Sequence, residues 1–220
     1  MPYFRQHATT LFSTFIGFGA IGAANWTVFG WIAVAIERQF HSSAAEVGLA
    51  LGQVFAIASI VGVAAANFAA RSFATRWGDT APVRLAQLGV AIAAATSCLY
   101  YAASSPAQFY WIAVVQIAAA MGGLTLSPTV VQLLAPTAIR ARVFAIAGLF
   151  YTIFGALSPL AVGLVSDHLG PAPRQLLIAM LVVGLPLYGL GVALIHVAGR
   201  GLGTTIESVR LAEERRASFG

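Results

Sequence analysis

The sequence predicts an all-α integral membrane protein built as a bundle of six transmembrane helices. Three observations carry this reading. Of 220 residues, 59% are hydrophobic and only 9% are charged, and the mean hydropathy is +0.85. A soluble domain holds about 25% charged residues, so the soluble globular and disordered classes are excluded. The uncharged residues fall in runs long enough, at about 1.5 Å per residue, to cross a hydrocarbon core of about 30 Å. Finally, the net charge of +5 comes from twelve arginines and no lysine, standing at the ends of the apolar runs. That placement belongs to membrane topology rather than to nucleic-acid binding.

The charge-free runs are residues 11–36, 47–70, 85–139, 143–166 and 175–199. The third holds 55 residues, too long for one crossing, and Ser104-Ser105-Pro106 divides it. Six spans follow, at about 11–36, 46–70, 84–103, 107–134, 143–166 and 175–198. A cytoplasmic segment, 1–10, precedes them and a cytoplasmic tail, 199–220, follows. The run from Leu11 is too long for the apolar core of a cleavable signal. An even span number puts both termini on one side. That side receives Arg5, Arg71, Arg76, Arg84, Arg140, Arg142, Arg200, Arg210, Arg215 and Arg216; the other receives only Arg38 and Arg174. Arginine concentrates in the cytoplasm, so both termini are expected there, with the chain in the cell (inner) membrane.

The first span contains Gly17-x-Gly19-x-x-Gly22. This spacing matches the dinucleotide fingerprint, but that motif needs a preceding strand and a polar helix start. Within a span the glycines read as small residues for close helix contact, as do Gly48 and Gly52 in the second. Between these spans, Ser43 and Glu46 make a capping box. Residues 71–84 read as a basic loop. Cys98 lies in an apolar run as a small packing residue, and a lone cysteine excludes an internal disulfide. The fifth span carries Gly148, Gly155, Ser158-Pro159 and Gly163, small residues for contact and a proline where a helix bends. His196, near the end of the sixth, reads as interfacial, and the charged tail reads as a short helix on the bilayer surface.

Three pieces in the fifth span and its approach carry a resemblance: Arg140-Ala-Arg142, Gly155-Ala-Leu-Ser-Pro159 and Gly163-Leu-Val-Ser-Asp167. In this order and spacing they resemble the tenth-to-eleventh helix passage of major facilitator superfamily transporters, nearest the Spinster-like branch. The stretch with Trp31, Arg38-x-Phe40, Ser43 and Glu46-x-Gly48 is similar to the same branch. Residues 71–84 resemble the superfamily's Gly-x-Leu-Ala-Asp-Arg-x-Gly-Arg loop in degraded form. Ala74, Arg76 and Gly78 match, Thr75 stands at the aspartate, and Asp79 offers a carboxylate four positions on. A solvated basic loop is the competing reading.

The resemblance spans residues 1 to about 200. It implies the second, C-terminal six-helix half of a twelve-helix secondary transporter, working by alternating access on a small solute. Its implied partners are the lipid bilayer and either a missing N-terminal six-helix half or a second copy. The chain is then a fragment or a half-transporter. A non-transporting scaffold or modulatory subunit is the alternative. Neither reading involves nucleic acid or a cofactor. No metal-ligand spacing or converging Ser, His and acid set argues for an enzyme.

Polar side chains inside a span face protein or a water-filled cavity. Taken at 100° per residue, the cavity-facing substrate-binding candidates are Asn25, Gln53, Gln116, Ser127, Tyr151 and Ser158. Interhelical hydrogen bonding is the competing reading for any one of them. Arg76, Asp79, Arg140 and Arg142 are candidates for a cytoplasmic gate. Glu37, Arg38 and Asp167 are assigned to external loops. No Asp, Glu, Lys or Arg lies well inside a span, so this half offers no evident coupling group.

Overall fold

The computed structural model describes residues 2–218. Met1, Phe219 and Gly220, and the side chains of Arg215 and Arg216, which the sequence assigns to the cytoplasmic ends, lie outside the described residues. The described chain is helical nearly throughout. In order the helices are α1 (Pro2–Gln6), α2 (Ala8–Phe29), α3 (Ile32–Phe40), α4 (Ala44–Trp77), α5 (Ala81–Leu99), α6 (Pro106–Thr125), α7 (Ser127–Leu133), α8 (Arg140–Leu169) and α9 (Pro173–Ala217). Among the described residues, five continuous helical stretches are long and apolar enough to cross a membrane. One of them, Ala44–Ala102, has 59 residues, about twice a single crossing. It folds back at the 3-10 turn Gly78–Thr80, where Gly78 takes φ 53°, a left-handed value that suits glycine. Counted this way, the crossings are α2–α3, α4, α5, α6–α7, α8 and α9.

The helices end where hydrogen bonding ends, not where charge begins. Residues 71–77 are therefore the last turns of α4 rather than a loop, since nothing before Gly78 breaks the helix. Glu37 and Arg38 close α3 instead of lying in a loop; His41, at φ 54°, stops that helix. Asp167 lies in the last turn of α8, which Gly170 ends at φ 106°. The Ser43 hydroxyl accepts from the Glu46 N–H at 3.3 Å and the Glu46 carboxylate accepts from the Ser43 N–H at 3.2 Å, a capping box that starts α4. Ser105 starts α6 with its hydroxyl on the Gln108 N–H, and Pro106 takes the first turn, where a missing N–H costs nothing. The tail is not a separate surface helix, because α9 runs without a break from Pro173 to Ala217.

Two apolar cores hold the bundle. One, toward the arginine-rich end, joins Phe15, Phe18 and Ile21 of α2 to Val90, Val131 and Ile195. The other, toward the opposite end, joins Ile32 and Ile36 of α3 to Val47, Phe109, Ile117 and Leu176. Glycines set the closest crossings. A Cβ on Gly62 of α4 would stand 2.1 Å from the Ala118 carbonyl oxygen of α6, so these helices touch backbone to backbone. On α2, Gly17 faces Ile195 of α9, while Gly19 and Gly22 face Phe154 and Tyr151 of α8. Gly48 and Gly52 differ from expectation: neither has an atom within 4 Å of its Cβ position. Cys98, expected as a packing residue, is exposed on α5.

Candidate functional site

The fourth crossing is broken. Pro128 has no N–H, so it cannot donate to the Leu124 carbonyl, and the helix interrupts at Leu126. The Leu126 N–H bonds Leu124 instead, and α7 restarts at Ser127. Irregular backbone at membrane depth is tolerated where it is enclosed by protein or lines a cavity. Here it does line one, of about 230 Å³, between α2, the α6–α7 break and α8. Thr14 and Phe18 form its α2 wall, Ser127 and Pro128 the broken wall, and Phe144 and Tyr151 the α8 wall. Its lining is apolar except for the hydroxyls of Thr14, Ser127 and Tyr151, and none of the lining residues is charged.

Two of the six expected substrate-facing residues, Ser127 and Tyr151, therefore meet at this cavity. Tyr151 is seated by Gly22, whose absent side chain leaves room for the ring. The other four go elsewhere. Asn25, 1% exposed, turns into the bundle core, where Oδ1 accepts from the Tyr188 hydroxyl at 2.7 Å. Gln116, also 1% exposed, donates from Nε2 to the Ser97 hydroxyl at 2.6 Å. Ser158 bonds within its own helix, donating to the Gly155 carbonyl at 3.3 Å. Pro159 cannot supply that carbonyl's helical N–H, so the hydroxyl replaces the lost donor. The Trp31 indole adds a cross-helix bond to the Pro159 carbonyl at 2.9 Å. Gln53 is exposed on α4 and lies outside the cavity.

Tyr188, Ser97 and Tyr100 belong to this buried polar set but were not legible in the sequence. Each is a polar tip on an otherwise apolar helix face, and only the packing of α5, α6 and α9 brings them together. Asn25 Nδ2, Gln116 Oε1 and the Tyr100 hydroxyl are buried without a hydrogen-bond partner among the described residues.

At the arginine-rich end two of the four expected gate residues, Asp79 and Arg140, meet the C-terminal part of α9. Arg140 donates from Nε to the Ala135 carbonyl at 3.3 Å and stands 3.9 Å from the Glu213 carboxylate. The same carboxylate accepts from the Thr137 N–H at 3.0 Å and from its hydroxyl. Asp79 pairs with Arg210 at 3.1 Å. Arg76 and Arg142 are exposed. On the N-terminal side, the two ring nitrogens of His7 meet the hydroxyls of Thr205 and Ser208 at 3.2 and 3.0 Å. Burial pushes the His7 imidazole below its ordinary value of 6.5. The Tyr3 hydroxyl donates to the Leu134 carbonyl, and burial pushes it up to about 12. The α9 extension thus ties His7 at the α1–α2 junction, the α4–α5 turn and the start of α8 into one layer.

Comparison with known proteins agrees with this architecture. No curated protein matches the sequence. Among solved structures, a bacterial homolog of the human lysosomal transporter Spinster, in an inward-facing and occupied conformation, is similar with a TM-score of 0.63 at 16% identity. The match covers 90% of this chain and 49% of that one. The inward-facing, unoccupied form of such a homolog gives the same TM-score and identity, over 95% of this chain and 50% of that one. The chain thus spans about half the length of these structures, and at such identity the likeness is one of fold. The family model of the Major Facilitator Superfamily matches residues 14–213. The chain is a multi-pass membrane protein that belongs to the Major Facilitator Superfamily, a family of transporters and not of enzymes.

Proposed function

We propose that this chain is one six-helix half of an alternating-access transporter for a small solute. The carrying observation is the cavity at the α6–α7 break, where interrupted backbone meets Thr14, Ser127 and Tyr151. At about 230 Å³ it is smaller than the roughly 300–1,000 Å³ of a complete small-molecule site, as befits one wall of a site between two bundles. The missing wall is an N-terminal six-helix half or a second copy. Exposed apolar side chains on α4 and α8, among them Leu49, Ile60, Phe68 and Leu164, leave surface for that partner. The largely apolar, uncharged lining favours a neutral or amphipathic solute. The arginine asymmetry supports cytoplasmic termini, and the reading keeps the chain in an inner membrane. The alternative, a non-transporting scaffold, is supported by the same unpartnered faces and by the half length.

Thermal-shift screening of a solute library against the purified chain tests the site, with uptake into vesicles following for any solute found. A stabilising solute whose effect disappears in Ser127→Ala/Tyr151→Ala supports the reading. A solute effect that the double variant leaves intact, or a bound solute with no uptake by any two-half assembly, overturns it.

A further inference from the structure

Between α5 and α9 runs a groove of about 770 Å³, separate from the solute cavity. Its walls are apolar over most of their length, with Leu88 and Ala94 on α5 and Leu185, Gly189 and Val192 on α9. Apart from Tyr188, whose hydroxyl is taken up by Asn25, the polar lining stands at one end, with Gln87 and His196. The helical period extends each wall past that end. Arg84 lies three residues before Gln87 and Arg200 four residues after His196, each on the same helix face as its neighbour, and both are exposed. The two helices are close at this level, since a Cβ on Gly199 would stand 3.6 Å from Val83 Cγ1. The nearby acids do not cancel the rim. Asp79 is engaged by Arg210 at 3.1 Å, and Glu207 lies seven residues beyond Arg200, about 10 Å along the helix.

We propose that this groove binds an anionic phospholipid, with an acyl chain along the apolar walls and the phosphate at Arg84 and Arg200. The apolar length fits any acyl chain; the charge of the rim selects the headgroup. The site does not depend on the transport reading. Exposed large apolar side chains are most numerous on α4 and α8 and fewer on α5 and α9, so a partner seated on α4 and α8 leaves α5 and α9 facing lipid.

Native mass spectrometry of the full chain in detergent micelles tests this, with dioleoyl phosphatidylglycerol and dioleoyl phosphatidylcholine as probes. Retention of phosphatidylglycerol should exceed that of phosphatidylcholine by about fivefold for each arginine. Arg84→Gln/Arg200→Gln, on the exposed rim, should bring phosphatidylglycerol down to the phosphatidylcholine level and leave the latter unchanged. Gly189 lines the groove and has no atom within 4 Å of its Cβ position, so the side chain of Gly189→Leu starts into open space and should lower retention of both lipids. Equal retention on the wild type, or a double variant that keeps its preference, overturns the proposal. So does displacement of phosphatidylglycerol by glycerol 3-phosphate at equal concentration, which would mark a free-phosphate site. A wild-type dimer that Gly189→Leu dissociates would assign the groove to a second copy instead.

Discussion

Tyr188 donates to Asn25 Oδ1 from a ring that is 2% exposed, and Gln116 and Ser97 share the same buried layer. Polar groups at this depth depend on one another, because water is absent and each lost partner leaves an unsatisfied atom. Tyr188→Phe should destabilise the bundle by about 1–3 kcal/mol, while Asn25→Leu/Tyr188→Phe should recover much of that loss, since it removes both halves of the bond. Reversible unfolding of the two singles and the double, as a mutant cycle, reads this out; additive losses would show that the two side chains act separately. Asn25 and Gln116 were legible in the sequence as polar residues in apolar runs. Their direction was not, because a helical wheel fixes phase within one helix but not the rotation of that helix against its neighbours. The same limit explains why Ser127 and Tyr151 reach the cavity while Gln53 does not. His7 gives a pH test. Its folded-state pKa lies below the ordinary 6.5, so the unfolded chain binds the proton more readily. Its stabilising contribution is present above about 6.5 and falls as the pH drops below it. Between about pH 7.5 and pH 5 the wild type should lose more in Tm than His7→Gln does. Parallel Tm curves would dismiss the clasp to Thr205 and Ser208.

Elements differ in what a glycine does for them. At Gly62 an added Cβ meets a backbone carbonyl at 2.1 Å, so α4 and α6 must separate; at Gly48 it meets nothing within 4 Å. Gly62→Ala should therefore lower Tm clearly, in spite of the roughly 0.5–1 kcal/mol that alanine adds to helix stability, whereas Gly48→Ala should be neutral or slightly stabilising. Equal effects would mean that the α4–α6 crossing is not tight. Both glycines sit in the same span, and only the partner helix separates them. Helix existence was legible from the apolar runs, but helix length was not. Hydropathy marks where lipid ends, while the hydrogen-bond ladder continues until Gly78, His41 or Gly170 stops it. The break at Leu126 lay within an expected continuous span, although Pro128 was its signal, because a proline in a membrane helix is often accommodated without interruption.

For the whole molecule, the ten-to-two distribution of arginine makes orientation testable without knowing the solute. Reporter fusions after Arg84 and Arg142 should read cytoplasmic, and fusions near His41, Ser105 and Arg174 external; a cytoplasmic signal at Ser105 would remove the third crossing and reverse everything after it.

On the proposed reading as half of a transporter, the arginine-rich layer also bears on the exchange between states. Alternating access requires contacts that one conformation makes and the other breaks. Arg140 opens α8, a helix lining the cavity, and its guanidinium lies 3.9 Å from Glu213 on the α9 extension. Both side chains are partly solvated, at 39% and 44% exposure, so this pair alone is worth at most about 1 kcal/mol. Glu213 also holds the Thr137 N–H, which makes the set a clasp between the α7–α8 turn and the tail rather than a lone surface pair. Arg140→Ala, in an assembly with the other half, is expected to slow solute exchange while leaving insertion and solute-induced stabilisation intact. If Arg140 only anchors topology, the other nine arginines on its side hold the orientation and the variant behaves like the wild type. Surface expression and thermal shift, set beside initial uptake rate, separate the two roles. Normal expression with unchanged uptake would remove Arg140 from the gate, and lost insertion would return it to the topology rule.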